Sequence, residues 1–143
     1  MDIPDVRRRV RAAIEQGRRD AGARRERVDA ASRAYDEFLA SRAIPAFNMI
    51  ASALVGEGHR FKVLTPAGSV RLTAEAAPDD FIELTFDPSE DPPLVLGRAN
   101  VGRGRRATTT ERPVRESVGV QDLTDEDVLN YVMSELPRLV VRS

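Results

Sequence analysis

The chain has 143 residues, of which 41% are hydrophobic and 31% are charged, and its formal net charge is −1. These values are typical of one charge-rich globular core, and they provide no overall field to attract nucleic acid or an anionic membrane. The absence of cysteine excludes disulfides, thiolate metal sites and thiol catalysis. The first residues lack the apolar core of a signal peptide, and the longest weakly polar run, residues 44–55, is shorter than the roughly 20 residues of a membrane span. We therefore expect a cytoplasmic protein that does not enter a membrane.

A long N-terminal helix is predicted for residues 5–43, which contain no proline and are rich in alanine, arginine and glutamate. A heptad frame fits this segment in steps of four and three residues, which is the spacing of a coiled-coil seam. The candidate dimerisation residues in this frame are Val10, Ile14, Ala21, Val28, Ala31, Tyr35 and Phe38. We predict that residues 1–43 are a helical, coiled-coil dimerisation segment and that residues 44–143 form an α+β domain.

The middle of this seam is weak, because Gly17, Ala21 and Arg24 bury little surface. One interpretation is a single long helix that pairs with its copy in a homodimer. The other is a break between Gly17 and Ala23 that leaves two shorter helices. The regular spacing favours the long paired helix, and the acids interleaved with its arginines favour a solvated face over a nucleic-acid contact.

Pro45 predicts a kink or a restart of the helix, since proline lacks a backbone donor and clashes with the preceding turn. Residues 46–55 then predict a more apolar helix with Phe47, Ile50 and Leu54 on one stripe, and the glycines around Glu57 end it. We expect this second segment to cover the apolar face of the sheet that follows it.

Residues 59–120 predict an antiparallel meander of about five strands. Alternating apolar and polar residues indicate strands at 61–65 and 70–75, and a third strand at 81–86. After a proline-rich loop, residues 94–99 and 105–110 predict the fourth and fifth strands around a turn at 100–104. Pro113 predicts that the far end of the fifth strand lies at an edge or a bulge.

Segment 97–115 carries the one strong local excess of positive charge, opposed only by Glu111. The candidate binding residues of this basic ribbon are Arg98, Arg103, Arg105, Arg106, Arg112 and Arg115. A basic two-stranded ribbon with a glycine-rich tip can enter a DNA groove or bind phosphates. Alternatively, the arginines protect an edge strand from aggregation, or they meet an acidic surface on the loops at 79–80 and 90–91 or on the C-terminal helix. The balance favours this second interpretation.

A capped C-terminal helix is predicted to begin after Thr124. Thr124 can cap the helix, Asp127 takes the place of the usual glutamate in a capping box, and Leu123 and Val128 are spaced to form a hydrophobic staple. Pro137 is expected to end the helix, and residues 139–141 predict a short last strand or a segment packed on the sheet. The predicted buried stripe is Val128, Leu129, Val132, Met133 and Leu136.

No residue pattern predicts catalysis. His59 is the only histidine, and no serine lies in a Gly-x-Ser-x-Gly elbow. The spacing of Asp80 and Glu83 does not favour a catalytic pair over solvated charges. We therefore predict no enzyme activity, no catalytic residue, no cofactor and no metal site.

Together these elements predict an α+β fold: a long N-terminal helix kinked near Pro45, an antiparallel meander of about five strands and a capped C-terminal helix. The predicted function is a non-enzymatic protein-binding or scaffold module that forms a homodimer through its N-terminal helix and binds another protein. The alternative is a nucleic-acid-binding protein that uses the basic ribbon 97–115.

Overall fold

The computed structural model describes residues 1–141, in which helices pack on one face of a single antiparallel sheet. The predicted α+β fold is therefore confirmed. The last two residues of the predicted domain 44–143 lie outside the described residues. The helices are α1 (Ile3–Phe38), α2 (Ile44–Gly56), α3 (Asp125–Glu135) and α4 (Pro137–Val140), with a π-helical turn (Leu39–Ala43) between α1 and α2 and a 3₁₀ turn (Val120–Asp122) before α3.

The sheet is a meander in which each strand pairs with the next along the chain. Its strands are β1 (Phe61–Leu64), β2 (Val70–Ala74), β3 (Phe81–Asp87), β4 (Leu94–Arg103) and β5 (Arg106–Pro113). The fourth strand is longer than predicted, because its pairing with β5 continues to Arg103 and the turn is only two residues long. Gly104 makes this tight turn possible with φ +62°, a value that favours glycine. As predicted, Pro113 lies on an edge strand.

The first helix is continuous from Ile3 to Gly56, so the alternative of a break between Gly17 and Ala23 is not what the structure shows. Asp2 caps its start by accepting a hydrogen bond from the Asp5 N–H at 2.8 Å. The predicted irregularity at Pro45 takes the form of the π-helical turn, which ends at Ala43, two residues before this proline. A widened turn accommodates the missing donor and the bulk of the proline ring without ending the helix.

The core lies between the helices and one face of the sheet. Phe47, Ile50 and Leu54 of α2 are buried against β1 and β2, which confirms the predicted cover. The sheet contributes residues that alternate along its strands and are less than 3% exposed: Val70, Leu72, Ile82, Leu84, Val95 and Ala99.

The second half of α1 belongs to the same core. Tyr35 and Phe38 are buried, the Tyr35 hydroxyl donates to the Gly68 carbonyl at 2.7 Å, and the Tyr35 ring stacks on Phe86 with centroids 5.2 Å apart. Ala31 is partly buried against this cluster. The C-terminal part of the predicted coiled-coil seam therefore packs within its own chain.

The C-terminal helix has the predicted capping box, in which Thr124 Oγ1 accepts from the Asp127 N–H and Asp127 accepts from the Thr124 N–H. Leu123 and Val128 are both buried, as a staple requires. As predicted, α3 ends just before Pro137, with Glu135 as its last residue. Pro137 then occupies the first turn of the short α4, where its missing donor is tolerated. Of the two alternatives for residues 139–141, the strand is absent from the described residues, and Leu139 packs in the core at 4% exposed.

A close contact between β4 and α3 involves Gly97 and Tyr131. A Cβ atom on Gly97 would overlap the ring atoms Cζ, Cε1 and Cε2 of Tyr131, which is 2% exposed. The ring therefore lies directly on the backbone of β4, and the absence of a side chain at position 97 determines how closely α3 approaches the sheet.

Candidate protein-binding site

The basic ribbon is partly neutralised inside the fold. Arg112 donates from Nε to Glu135 Oε1 at 3.1 Å, and its guanidinium carbon lies 4.6 Å from the centre of the Tyr131 ring. Arg115 pairs with Asp127 at 3.5 Å. Two of the six predicted binding arginines therefore hold β5 and the following loop to the acidic side of α3, which matches the interpretation of an acidic surface in the same chain.

Arg98 lies on the sheet face opposite the helices, in a row of alternating charges. The strand register places Glu83 and Glu111 directly beside it on the two neighbouring strands, and Arg71 follows Glu83 on β2. Arg71 donates from Nε to Glu83 Oε2 at 2.8 Å, and Glu83 is only 6% exposed. Opposite charges on adjacent strands stabilise a sheet, and the register sets Arg98 between two acids. Within the described residues, however, Arg98 forms no ion pair of its own, and its buried Nε has no hydrogen-bond partner.

The remaining predicted binding residues, Arg103, Arg105 and Arg106, are exposed at the tip of the β4–β5 hairpin. None of these three makes an ion pair with any residue in the described range. Only this half of the predicted ribbon is therefore available to a partner.

The first half of α1 forms a projecting arm, which we define as residues 3–20. Residues 6–21 are all exposed, and the body of the protein first contacts the helix at Arg24, which donates to the Pro88 carbonyl at 3.0 Å. One face of the arm carries an apolar stripe at helical spacing, formed by Ile3, Val6, Val10 and Ile14. Val10 and Ile14 are each about half exposed, so this part of the predicted seam has no partner within the described chain.

An apolar groove lies between α2 and α3, with a volume of about 540 Å³. Its lining includes Met49, Leu129 and Met133, which are 73%, 39% and 42% exposed. The prediction that Leu129 and Met133 are buried was wrong, because both side chains line the open groove, whereas Val128 and Val132 of the same helix are fully buried. The sequence did contain a signal for this open groove. The five apolar residues of the predicted stripe form a surface wider than a single helix–helix or helix–sheet contact would cover.

The rim of this groove is polar and mostly acidic. Glu57 and Glu126 contribute carboxylates, and Asp125 pairs with Arg42 at 3.4 Å. The groove therefore combines an open, methionine-containing floor with negative charge at its edges. Flexible methionine side chains allow such a floor to adapt to an apolar partner.

The buried ionisable groups have structural roles. Burial raises the pKa of the Tyr35 hydroxyl above its ordinary value, and burial together with the charge of Glu135 does the same for Tyr131, so both stay protonated at neutral pH. Burial raises the pKa of Asp127, but hydrogen bonds with Thr124 and the charge of Arg115 outweigh it and lower that pKa overall. Within residues 1–141, no group of three potential metal ligands comes together.

The helix Ile3–Gly56 is long enough to cross a membrane and contains an 18-residue window that is apolar enough to do so, by length and composition alone. A third of that window is buried in the fold, and core helices of other proteins pass the same test. This window is therefore weak evidence for a membrane span, and the prediction of a protein outside the membrane stays a prediction.

Comparison with family models, with curated proteins and with solved structures returned no significant match. The chain is therefore assigned to no family. The arm and the groove are two apolar surfaces that have no partner in the described chain.

Proposed function

We propose that the protein is a non-enzymatic protein-binding module that forms a homodimer through its N-terminal helix. The exposed apolar stripe on the arm carries this proposal. A stripe with coiled-coil spacing buries its side chains only when a second surface covers it.

The proposed interface is smaller than the predicted seam. Tyr35 and Phe38 are occupied by the core of their own chain, and Val28 and Ala31 are already partly covered. The residues left for an intermolecular contact are Val10, Ile14 and Ala21 of the predicted set, joined by Ile3 and Val6. The interface therefore lies at the free end of the helix rather than along its whole length.

Ile14→Asp is expected to weaken the dimer. A charge in the middle of the stripe removes apolar burial and has to be desolvated on association, so we expect the dissociation constant of the dimer to rise by about tenfold or more. Sedimentation velocity over a micromolar concentration series measures the change. Ala12→Asp is the matched control, because position 12 is also exposed but lies on the opposite face of the arm. A protein that is monomeric throughout the series, or an equal effect of both variants, would contradict the proposal.

Nucleic-acid binding through the hairpin tip is the second candidate function, and the exposure of three neighbouring arginines favours it. The test variant replaces Arg103, Arg105 and Arg106 by alanine. If each arginine contacts one phosphate, the slope of log K against log salt on duplex DNA should flatten by about 3. The control variant has the same change in net charge through alanine at Arg25, Arg33 and Arg60. Absent binding, or an equal loss in the control, would rule out the tip as a nucleic-acid site.

A further inference from the structure

We infer that the groove between α2 and α3 binds the N-terminal arm of a second copy of this chain. This inference rests on the proposed homodimer and identifies the surface that covers the arm. It joins two apolar surfaces that have no partner in the described chain: the stripe of Val6, Val10 and Ile14, and the groove floor of Met49, Leu129 and Met133.

The dimensions of the two surfaces match. The stripe extends from Ile3 to Ile14 and its flanking arginines reach Arg18, which gives a helical length of about 24 Å. On the side of α2, the groove lining extends from Ser41 to Glu57, one residue more than the span from Ile3 to Arg18 and therefore of similar length. Binding of an amphipathic helix in an apolar groove through positions i, i+4 and i+8 follows a common mode of peptide recognition.

The charges of the two surfaces are complementary. On the arm, Arg7, Arg11 and Arg18 lie beside the stripe and border the same shallow depression as Val10, with Glu15 as the one acid among them. These three arginines form no ion pair within the described residues, in contrast to Arg8 and Arg9, which pair with Asp5. The carboxylates of Glu57 and Glu126 on the groove rim likewise form no ion pair in that part of the chain. Docking of the arm would place free arginines against free acids, which favours this partner over an acidic or neutral helix.

The arm cannot reach the groove of its own chain. It is part of one uninterrupted helix that ends at the groove, so the distance between the arm and α2 is determined by the helix itself. A second copy of the chain has the same arm and the same groove. Antiparallel alignment of two copies then allows each arm to enter the groove of the other, which gives a closed two-fold dimer with two identical contacts.

The first test uses the fact that the chain contains no cysteine, so single introduced cysteines are the only thiols present. Val10→Cys carrying an affinity tag is mixed with untagged Met49→Cys and treated with a short bismaleimide, a cross-linker that reaches across several ångströms and so captures neighbouring registers of the two helices. We expect the mixed dimer as the main product, identified by its mass. Ala12→Cys mixed with Met49→Cys is the control and should yield little mixed product, because position 12 faces away from the stripe.

The outcomes separate this inference from the homodimer itself. A dimer in which Val10→Cys cross-links mainly to another Val10→Cys would indicate contact between arms and overturn the groove assignment while the homodimer stands. A protein that dimerises but yields neither the mixed product nor the Val10→Cys homodimer product would also overturn the groove assignment. A chain that is monomeric by sedimentation overturns both.

The second test reverses charges across the proposed contact. The groove variant, which combines Glu57→Arg and Glu126→Arg, should weaken dimerisation by about tenfold. The quadruple variant adds Arg7→Glu and Arg11→Glu on the arm and should restore most of the affinity. Circular dichroism confirms that each variant is folded. Restoration depends on the two sets of residues facing each other, so a quadruple variant that is no stronger than the groove variant would overturn the inference.

Discussion

Gly97→Ala is expected to destabilise the fold by about 3 kcal/mol, at the upper end of the usual range for overpacking a core. The added methyl group would occupy the position of the Tyr131 ring. That ring is 2% exposed and is covered by the Arg112 guanidinium, so it can move only by lifting α3 from the sheet. Chemical denaturation followed by circular dichroism measures the loss.

The origin of this loss can be tested with Tyr131→Ala as a second site. Truncating Tyr131 should itself cost about 3 kcal/mol or more, but in that background Gly97→Ala should cost little, because the overlapping ring is gone. Gly119→Ala is the matched control, since a Cβ atom there would meet nothing within 4 Å beyond its chain neighbours and its φ of −68° is unstrained. The overlap would be contradicted if the stability losses of Gly97→Ala and Tyr131→Ala were additive. It would also be contradicted if Gly119→Ala destabilised the fold as much as Gly97→Ala.

Arg71→Met is expected to destabilise the fold by about 2 to 3 kcal/mol. The Arg71 side chain is 30% exposed and neutralises Glu83, whose side chain is 7% exposed, and it also lies 4.1 Å from the centre of the Phe81 ring. Methionine keeps an apolar stem over Phe81 but leaves the Glu83 carboxylate buried without its closest partner. Removing one member of a buried ion pair is costly because the remaining charge stays desolvated.

Glu83→Met should cost less than Arg71→Met, because the arginine left behind can turn towards water. The double variant should recover part of the loss in Arg71→Met, since no uncompensated charge remains in the buried position. Thermal and urea unfolding of the four proteins form a double-mutant cycle that gives the coupling energy. A coupling energy near zero would show that the 2.8 Å contact contributes little to stability.

The local elements of this protein could be predicted from the sequence because their causes are local. The alternation in residues 61–64 and 70–74, the proline-free first helix and the capping box at Thr124 each depend on residues at most a few positions apart. The helical spacing of Phe47, Ile50 and Leu54 likewise predicted that these three side chains are buried. The meander followed because each strand pairs with its neighbour in sequence.

Only part of the predicted binding ribbon is an unpaired basic surface, because some of its arginines lie beside acids that are distant in the sequence. Arg112 pairs with Glu135 and Arg115 with Asp127, 23 and 12 positions away, and the register of β4 places Arg98 between two glutamates. Neither the spacing of the arginines nor their number contains this information. The exposed tip at Arg103 and Arg105 remains, because the hairpin turn lies away from α3.

By itself, the sequence determined the type and order of the elements, since periodicity, capping and turn formation act between neighbouring residues. Only the tertiary structure decided which apolar residues are covered. The heptad seam was uniform in its spacing, yet the body of the protein covers Tyr35 and Phe38 and leaves Val10 and Ile14 exposed. In the same way, Val128 is buried while Met133 lines an open groove. The physical reason is that burial depends on what lies opposite a side chain, and that partner comes from a distant part of the chain or from another molecule.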